Sequence, residues 1–325
     1  MSKVKVQVTR EVFDEVLDYL GEHFEVSSNQ NDRPLTPTEL AQALADKQGA
    51  LTVLTDRIDA VLIANCPQLK AVSNIAVGYN NFDLKAMSAR GVVGTNTPGV
   101  LDAATADFTW ALILATARRL TEAEAWLRAG QWQGWKLKQF LGMDVQGATL
   151  GIIGMGRIGQ AVAKRARGFD MPVLYYNRTR LKPELERDCN ARHASLDELL
   201  AQSDIVTLHT PYSADSHHLI GATQLALMKK TAILIHAARG GVVDDAALIA
   251  ALNSGTIAAA GLDVFESEPK FNPEFLKLRN VVLAPHIASA TTNTRRNMAM
   301  LAARNLVAAL AGERPPNLLN PDALK

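Results

Sequence analysis

Short apolar runs alternate with helical patterns along most of the chain. In the N-terminal third, residues 4–8, 50–54 and 71–77 have the length and composition of buried strands, and residues 38–47 repeat apolar side chains at a helical spacing. Further strand-like runs, separated by turns and helical patterns, cover residues 150–153, 173–177, 204–209, 232–236, 259–264 and 281–284. Strands that alternate with helices in this way are typical of a parallel-sheet α/β fold.

Two longer helical patterns flank the second series of strands. Residues 103–128 are rich in Ala, Leu and Trp, and they predict one long helix that crosses from a first domain into a second. Residues 294–312 are also helical, with an apolar face made of Met298, Leu301, Ala302, Leu306 and Leu310. Because little sequence is left there for a third core, we expect this helix to return to the first domain.

The charge balance excludes several classes of partner. The 325 residues include 34 Lys and Arg and 33 Asp and Glu, so a net charge of +1 offers no broad field for nucleic acid or an anionic membrane. No apolar run reaches about 18 residues, and we expect a cytoplasmic protein. Cys66 and Cys189 lie far apart without metal-ligand spacing, so neither a disulfide framework nor a metal site is predicted.

The stretch from Leu150 to Gly159 joins a buried-strand pattern to a G-x-G-x-x-G turn and a following helix. In a dinucleotide-binding turn the first glycine, Gly154, permits the tight turn and the second, Gly156, lets a pyrophosphate approach the backbone. The third glycine lets the helix over residues 160–168 pack on the strand and point the positive end of its dipole at the phosphates. A purely structural turn is the alternative, but the strand before it and the helix after it favour a dinucleotide site.

These patterns predict the domain organisation. A chain of this length exceeds what one hydrophobic core usually organises, so we expect two doubly wound parallel-sheet domains. The dinucleotide-binding domain would comprise residues 100–286. It would be inserted into a discontinuous substrate domain made of residues 1–99 and 287–325.

Three side chains with catalytic potential follow strand-like runs of the second domain. Arg239 lies in a glycine turn after one run, Glu268 follows the next, and His286 follows the third. Ligands of open α/β sheets bind beyond the carboxyl ends of the strands, so we expect these groups to lie near the dinucleotide. Alone, each residue could be a solvated surface group. Together they have what reduction of a 2-oxo acid requires, since Arg holds a carboxylate, His⁺ donates a proton and Glu favours the charged imidazole.

The chain resembles the D-isomer-specific 2-hydroxyacid dehydrogenases, and most of all their glyoxylate and hydroxypyruvate reductase branch. The resemblance spans nearly the whole chain and rests on Gly-Met-Gly-Arg-Ile-Gly from Gly154, Ala-Arg-Gly around Arg239, Gly-Leu-Asp-Val-Phe-Glu from Gly261 with Glu268-Pro269, and Pro285-His286-Ile287. It implies a Rossmann cofactor domain inserted into a flavodoxin-like substrate domain, with a homodimer formed through the helix over residues 103–128.

The same resemblance implies roles for individual residues. Arg239 would bind and polarise the substrate, Glu268 would be the partner carboxylate and His286 the proton donor. Substrate contacts would also come from Leu54 and from the backbone amides of Val77 and Gly78, although the pattern there favours a plain strand end with a glycine turn. The implied cofactor contacts are Thr105, Gly154, Gly156, Arg157, Ile158, Gly159, Asn177, Arg178, Thr179, Arg180, Ala237, Ala238, Asp263 and Ala288.

The residues after the second strand of the cofactor domain indicate which nicotinamide cofactor binds. Sites that prefer NAD usually carry an acidic residue about 20 positions beyond the glycine loop, which binds the ribose hydroxyls. Here Asn177 occupies that position, so nothing repels a 2′-phosphate, and Arg178 and Arg180 could bind one. We therefore predict a preference for NADP(H). A pair of solvated arginines is the alternative.

Some positions depart from the family pattern. Asn80 lies where relatives often have Asp, His236 where Asn is common, and Ala288 where Gly is common, and Gln139 lies where close relatives place a tryptophan that reaches the neighbouring subunit. None of these changes removes a catalytic group, but they leave the substrate open among glyoxylate, hydroxypyruvate and 2-ketogluconate. We also expect His193, His217 and His218 to be surface residues, and His209 to be near the cofactor without a catalytic role.

A protein of another class could share these features. Corepressors built on the same fold bind a dinucleotide to control assembly rather than to turn over a substrate. The complete set of Arg239, Glu268 and His286 favours the enzyme.

Overall fold

The computed structural model describes residues 3–324 and divides into two compact units. Unit one comprises Met1–Leu101 and Ala290–Lys325, and unit two comprises Asp102–Ser289. Among the described residues, no helix is both long and apolar enough to cross a membrane.

The first segment of unit one alternates strands and helices. Its elements are β1 (Lys5–Val8), α1 (Asp14–His23), β2 (Glu25–Ser28), α2 (Pro37–Leu44), β3 (Gly49–Thr52), α3 (Ala60–Asn65), β4 (Ala71–Asn74), α4 (Leu84–Ala89) and β5 (Val93–Thr95). The five strands form a parallel sheet in the order β2-β1-β3-β4-β5, which is the flavodoxin-like order.

Unit two repeats the same alternation on a larger scale. Its elements are α5 (Asp102–Ala117), α6 (Leu120–Arg128), β6 (Leu150–Ile153), α7 (Arg157–Ala166), β7 (Val173–Tyr176), α8 (Pro183–Cys189), β8 (Ala191–His193), α9 (Leu196–Gln202), β9 (Ile205–Leu208), α10 (Ala222–Leu227), β10 (Ile233–His236), α11 (Asp245–Ser254), β11 (Ala259–Leu262) and β12 (Val281–Leu283). Short 3₁₀ helices cover Arg167–Phe169, Ala214–Ser216 and Pro273–Lys277.

The seven strands of unit two form one parallel sheet in the order β12-β11-β10-β9-β6-β7-β8. Counted from β6 as the first strand, this is the Rossmann order 3-2-1-4-5-6 with a seventh strand added. The order reverses between β6 and β9, where ligands of such sheets bind beyond the carboxyl ends of the strands. The predicted fold class is therefore confirmed.

The chain returns to unit one after Ser289 as α12 (Thr292–Leu310), followed by a 3₁₀ helix at Pro321–Leu324. Ala302 and Leu306 of α12 are fully buried in a core that also contains Val6 and Val8 of β1. The hydroxyl of Ser73 also donates a hydrogen bond of 2.7 Å to the Ala302 carbonyl. The two segments of unit one thus share one core.

Both faces of each sheet are covered, which explains the short and almost continuously apolar strands. In β6, for example, Ile152 belongs to one core cluster and Ile153 to another, and both side chains are fully buried. Several helices begin at a side chain that accepts a hydrogen bond from the first turn, as the sequence pattern of an N-cap predicts. These N-cap residues are Thr36, Asp59, Asp83, Ser195, Asp244 and Thr291.

The single long helix predicted over residues 103–128 is wrong. The structure has two helices, α5 and α6, because Arg119 adopts a left-handed backbone conformation with φ of 51°. The apolar pattern continues through the break and therefore hid it. Three edge strands, β2, β5 and β8, were not predicted either. The side chains of β2 and β8 are mostly half-buried or exposed and carry little apolar pattern, and β5 is buried but only three residues long.

Candidate active site

The glycine loop after β6 has the shape that a pyrophosphate needs. Gly154 has φ of +97°, which other residues rarely adopt, and a Cβ atom on Gly159 would lie 2.3 Å from the Gly154 carbonyl oxygen. At Gly156, in contrast, a Cβ atom would meet no protein atom within 4 Å. Gly156 caps α7 without a side-chain hydrogen bond, so the N–H groups of Arg157 and Ile158 in the first turn remain available for an anion.

Asn177 closes the other side of this loop. Its side-chain oxygen accepts a hydrogen bond of 2.7 Å from the backbone N–H of Met155, which fixes a neutral amide where a carboxylate would bind ribose. Arg178, Thr179 and Arg180 follow and are exposed. None of the residues 177–180, which follow β7, is acidic.

The two arginines each have a carboxylate partner. Arg178 pairs with Asp215 at 3.1 Å, and both side chains are more than three-quarters exposed. Arg180 makes two bonds to Glu186, at 2.8 and 2.9 Å, and Glu186 also accepts a hydrogen bond of 2.6 Å from the Tyr175 hydroxyl. Arg180 is thus held more firmly than Arg178.

The three predicted catalytic residues lie beyond the carboxyl ends of neighbouring strands, β10, β11 and β12. Backbone hydrogen bonds hold these strand ends together, since Asp263 N–H donates to the His236 carbonyl and His286 N–H donates to the Asp263 carbonyl, both at 2.9 Å. The sheet therefore positions Arg239, Glu268 and His286 at one edge.

His286 and Glu268 form a hydrogen-bonded pair. His286 Nδ1 lies 2.7 Å from Glu268 Oε2, and the two side chains are about one-quarter exposed, at 25% and 27%. This pairing leaves Nε2 as the ring nitrogen that can face a ligand. The His286 backbone has φ of 55°, an uncommon conformation for a residue other than glycine and one that often marks a functional site.

Both oxygens of the Glu268 carboxylate are engaged. Oε1 accepts a hydrogen bond of 2.8 Å from the Phe265 backbone N–H, and Oε2 faces His286. Burial alone would raise the pKa of Glu268, but the hydrogen bond and charge of His286 hold that pKa below its ordinary value. Glu268 is therefore ionised at neutral pH and places a negative charge beside the His286 ring.

Asp263 supports the loop that carries His286. Its side chain is fully buried, and its two oxygens accept hydrogen bonds from the backbone N–H groups of Ile287 and Ala288 at 2.7 and 2.9 Å. Burial raises the pKa of Asp263, while these two hydrogen bonds oppose the shift. Its contacts assign Asp263 a positioning role within the loop.

Arg239 retains most of its hydrogen-bonding capacity. Among residues 3–324, its side chain makes one hydrogen bond, from Nη1 to the Ala238 carbonyl at 2.7 Å. Burial lowers the pKa of Arg239, and the nearby Glu268 charge opposes that shift. An arginine stays protonated at neutral pH, so the rest of the guanidinium can bind a carboxylate.

Two further imidazoles lie at strand ends of this sheet, His236 buried and His209 half-buried, and the sequence pattern gave little sign of their environment. His236 ends β10 with 1% of its surface exposed, and neither ring nitrogen has a hydrogen-bond partner within the described chain. His209 follows β9, and its Nε2 lies 3.0 Å from the Thr207 hydroxyl. Burial lowers the pKa of His236 to about 4 and that of His209 to about 3, so both are neutral at pH 7.

The remaining predicted contacts in unit two are mostly small buried groups near the strand ends or in α5. Ala237 and Ala238 follow β10, Ala288 follows His286, and Thr105 lies in the first turn of α5. Of the histidines predicted to be surface residues, His217 is exposed, whereas His218 is half-buried and bonded to Glu266. His193 is half-buried as well, with a buried Nε2.

Unit one contains the other predicted substrate contacts. Val77 and Gly78 follow β4, and their carbonyls accept hydrogen bonds from the side-chain amides of Asn96 and Asn74 at 2.7 and 3.1 Å. The backbone N–H groups of Val77 and Gly78 have no hydrogen-bond partner among residues 3–324. Leu54 follows β3 and is 37% exposed.

Comparison with known proteins gives a consistent result. The model of the D-isomer specific 2-hydroxyacid dehydrogenase NAD-binding domain matches residues 110–288. A glyoxylate reductase of Thermococcus gammatolerans is 51% identical over 99% of this chain and 98% of its own length.

Solved structures of similar fold include reductases of the same kind. A glyoxylate reductase from Paecilomyes thermophila aligns with a TM-score of 0.88 and 32% identity, covering 98% of this chain and 99% of that one. An NADPH-dependent glyoxylate/hydroxypyruvate reductase from Sinorhizobium meliloti, solved in complex with NADP and malonate, aligns with a TM-score of 0.87 and 32% identity over 99% of this chain and 98% of that one. The chain belongs to the D-isomer-specific 2-hydroxyacid dehydrogenases, a family of oxidoreductases that use a nicotinamide dinucleotide.

Proposed function

We propose that this protein uses NADPH to reduce a small 2-oxo acid, glyoxylate or hydroxypyruvate, to the D-2-hydroxy acid, with 2-ketogluconate as a further candidate substrate. The observation that carries the proposal is the His286–Glu268 pair, in which an ionised carboxylate holds the imidazole through Nδ1, at the same sheet edge as Arg239. Glyoxylate is named because the T. gammatolerans relative, 51% identical, is a glyoxylate reductase.

The proposed reaction adds a hydride and a proton across the 2-oxo carbonyl, which is an aldehyde in glyoxylate and a ketone in hydroxypyruvate. A bound NADPH would supply the hydride for the carbonyl carbon. His286 donates the proton from Nε2 to the carbonyl oxygen, and Glu268 stabilises the imidazolium before the transfer and orients the ring through Nδ1. The carbonyl becomes a hydroxyl, and His286 regains a proton from solvent before the next cycle.

Arg239 is proposed to bind and polarise the substrate. A guanidinium with one internal hydrogen bond can still make paired bonds to a carboxylate. In unit one, the free N–H groups of Val77 and Gly78 are proposed to bind the substrate carboxylate, and Leu54 to contact the substrate. This proposal assigns the substrate domain to residues 1–99 and 287–325 and the cofactor domain to residues 100–286.

The described residues fit a dinucleotide. The open space at Gly156 and the available N–H groups of Arg157 and Ile158 would hold the pyrophosphate. Thr105, Ala237, Ala238 and Ala288 are proposed as further contacts, with Asp263 acting through the loop that it holds.

We propose that the cofactor is NADP(H) and that Arg178 makes the main contact with the 2′-phosphate. Exposed ion pairs contribute only about 0–1 kcal/mol, so Arg178 can exchange Asp215 for a phosphate at little cost. Arg180 shares its charge with Glu186 and would contribute less, and Thr179 lies between the two. Asn177 introduces no repelling charge.

The cofactor proposal is tested by kcat/KM for NADPH and NADH in the wild type, Arg178→Gln and Arg192→Gln. Arg192 is a matched control because it is an exposed arginine paired with a glutamate, Glu198. We expect the wild type to prefer NADPH, Arg178→Gln to lose about tenfold or more of that preference, and Arg192→Gln to behave as the wild type. A tenfold preference of the wild type for NADH would refute the proposal.

The substrate proposal is tested by a panel of 2-oxo acids with NADPH in a spectrophotometric assay. We expect the highest kcat/KM with glyoxylate or hydroxypyruvate. Tight NADPH binding without reduction of any 2-oxo acid would favour the dinucleotide-sensing, corepressor-like alternative. That alternative does not require the His286–Glu268 pair.

We also propose that the protein forms a homodimer through an apolar surface on α6 and the segment after it. Large exposed apolar side chains are concentrated there: Leu120, Leu127, Trp132, Trp135, Leu137 and Leu141. Apolar surfaces of this kind are typical of interfaces. Light scattering after size exclusion should give twice the 35.1 kDa chain mass for the wild type. The control Leu276→Glu alters an exposed leucine outside this surface, in the 3₁₀ helix at Pro273–Lys277, and should give the same dimer mass. Leu137→Glu should give the monomer, and a monomeric wild type would contradict the proposal.

A further inference from the structure

A cluster of possible metal ligands lies in unit two, outside the proposed catalytic set. His217, His218 and Glu266 each offer one ligand atom, and these atoms all lie within 4.8 Å of one another. His218 Nε2 is hydrogen-bonded to Glu266 Oε1, and the two imidazole rings stack with centroids 3.9 Å apart. We call these three residues the histidine cluster.

One segment of the chain, residues 241–245, anchors both sides of the histidine cluster. His218 N–H donates to the Gly241 carbonyl at 2.8 Å, which fixes the histidine side. Glu266 N–H donates to the carboxylate of Asp245 at 3.0 Å, which fixes the glutamate side. His218 also has a φ of 51°, an uncommon backbone conformation that this anchoring maintains. The cluster is thus assembled by the fold rather than by flexible side chains alone.

Each histidine of the cluster has a polar group near its Nδ1 atom. His217 Nδ1 lies 3.4 Å from the Tyr212 hydroxyl, and His218 Nδ1 lies 3.8 Å from Asp244 Oδ2. Histidines that bind a metal through one nitrogen usually face a carboxylate, carbonyl or other polar group with the second. The candidate ligand nitrogens are therefore Nε2 of His217 and, once its hydrogen bond to Glu266 is broken, Nε2 of His218.

We propose that His217, His218 and Glu266 form a binding site for Zn²⁺ or a similar transition-metal dication. Two imidazoles and a carboxylate are common zinc ligands, and a water would complete the tetrahedron. Mg²⁺ and Ca²⁺ prefer sites made of oxygen ligands and should bind poorly.

Binding requires a small local rearrangement. Ligand atoms of a tetrahedral zinc site, with bonds of about 2.0–2.1 Å, lie about 3.4 Å apart. The hydrogen-bonded atoms of His218 and Glu266 must therefore separate slightly, and any wider distance within the cluster must shorten. The ring of His217 must also turn out of its stack on His218, since parallel stacked rings cannot both direct a lone pair at one ion. His217 is exposed, which makes this rotation easy. The ion would replace the His218–Glu266 hydrogen bond and connect the loop before α10 to the segment after β11.

The test measures Zn²⁺ binding to the full chain by competition with a chromophoric chelator. We expect one ion per chain, and about 100-fold weaker binding in both His217→Gln and Glu266→Gln. His23→Gln is the matched control because His23 is an exposed histidine of unit one, and it should bind as the wild type does. Mg²⁺ in excess should not compete.

Two further measurements identify the site. The thermal unfolding temperature should rise with Zn²⁺ in the wild type and in His23→Gln, but not in Glu266→Gln, whose unfolding without metal shows that it is folded. Glu268→Gln distinguishes the histidine cluster from the His286–Glu268 pair, and it should keep Zn²⁺ binding. Binding that survives Glu266→Gln and His217→Gln, or that is lost only in Glu268→Gln, would overturn the proposal. Absence of tight binding by the wild type would also overturn it and leave a plain His–Glu hydrogen bond.

Discussion

The buried imidazole of His236 should make the stability of unit two depend on pH. His236 is 1% exposed, and burial lowers its pKa to about 4, while an unfolded chain has a histidine pKa of about 6.5. The charged groups that act on it are Arg239, Glu268 and His286. Because the unfolded state takes up a proton below about pH 6.5 and the folded state does not, stability is complete above that pH and is lost as the pH falls towards 4.

The magnitude follows from these two pKa values. For one group that titrates at about 4 when folded and about 6.5 when unfolded, the unfolding free energy falls by about 2 kcal/mol between pH 8 and pH 5. His209, with a pKa of about 3, should contribute a similar loss. Asp245 acts in the opposite direction because burial raises its pKa to about 6, so protonation on acidification favours the folded state.

The variant His236→Asn isolates one histidine from the other groups. Asn does not titrate, and any cavity that it leaves costs the same at every pH. All four tryptophans, Trp110, Trp126, Trp132 and Trp135, lie in unit two, so urea unfolding followed by tryptophan fluorescence reports on this unit. We expect the wild type to lose about 2 kcal/mol more than His236→Asn between pH 8 and pH 5.

The control is His23→Asn, which alters an exposed histidine of α1 and should follow the wild-type curve. Parallel curves for the wild type and His236→Asn would show that His236 is protonated in the folded protein or exposed to water. That result would refute the description of His236 as a neutral buried imidazole.

Two further substitutions test the supports of the site. Asp263→Asn should lower kcat at least tenfold with little change in NADPH affinity. An amide has one oxygen and cannot accept the hydrogen bonds of both backbone N–H groups that hold the His286 loop. Steady-state kinetics measures kcat, and NADPH titration measures the affinity. Gly159→Ala should weaken NADPH binding and destabilise unit two by about 1–3 kcal/mol, since its methyl group would lie 2.3 Å from the Gly154 carbonyl. Gly168→Ala, which meets no atom within 4 Å, is the control in urea unfolding and NADPH titration.

Much of the fold could be predicted because buried parallel strands have a strong local pattern. Runs such as β6 and β10 are apolar up to their last residue, which is His236 in β10, and each precedes a turn that the glycines mark. The edge strands β2 and β8 lack this signal because they are only partly buried. The break between α5 and α6 escaped prediction for another reason, since a left-handed Arg119 leaves no trace in the apolar spacing.

The catalytic pair could be predicted as residue types at strand ends, but its geometry could not. The distance between His286 and Glu268 depends on three neighbouring strands and on the loop held by Asp263. The environment of His236 was equally hidden, because a histidine at a strand end can lie in solvent or in a core. The partners of Arg178 and Arg180 come from side chains 37 and 6 residues away, and sequence order does not reveal which pairs form.

The most direct test of the account is the effect of His286→Asn on turnover and on cofactor binding. Asn tolerates the left-handed backbone of residue 286 better than most residues, so the loop can keep its shape while the proton donor is lost. We expect kcat for 2-oxo acid reduction to fall by about 10²–10⁴, as for loss of a general acid, while the Kd for NADPH stays within about twofold. Unchanged kcat in a folded His286→Asn protein would contradict the account.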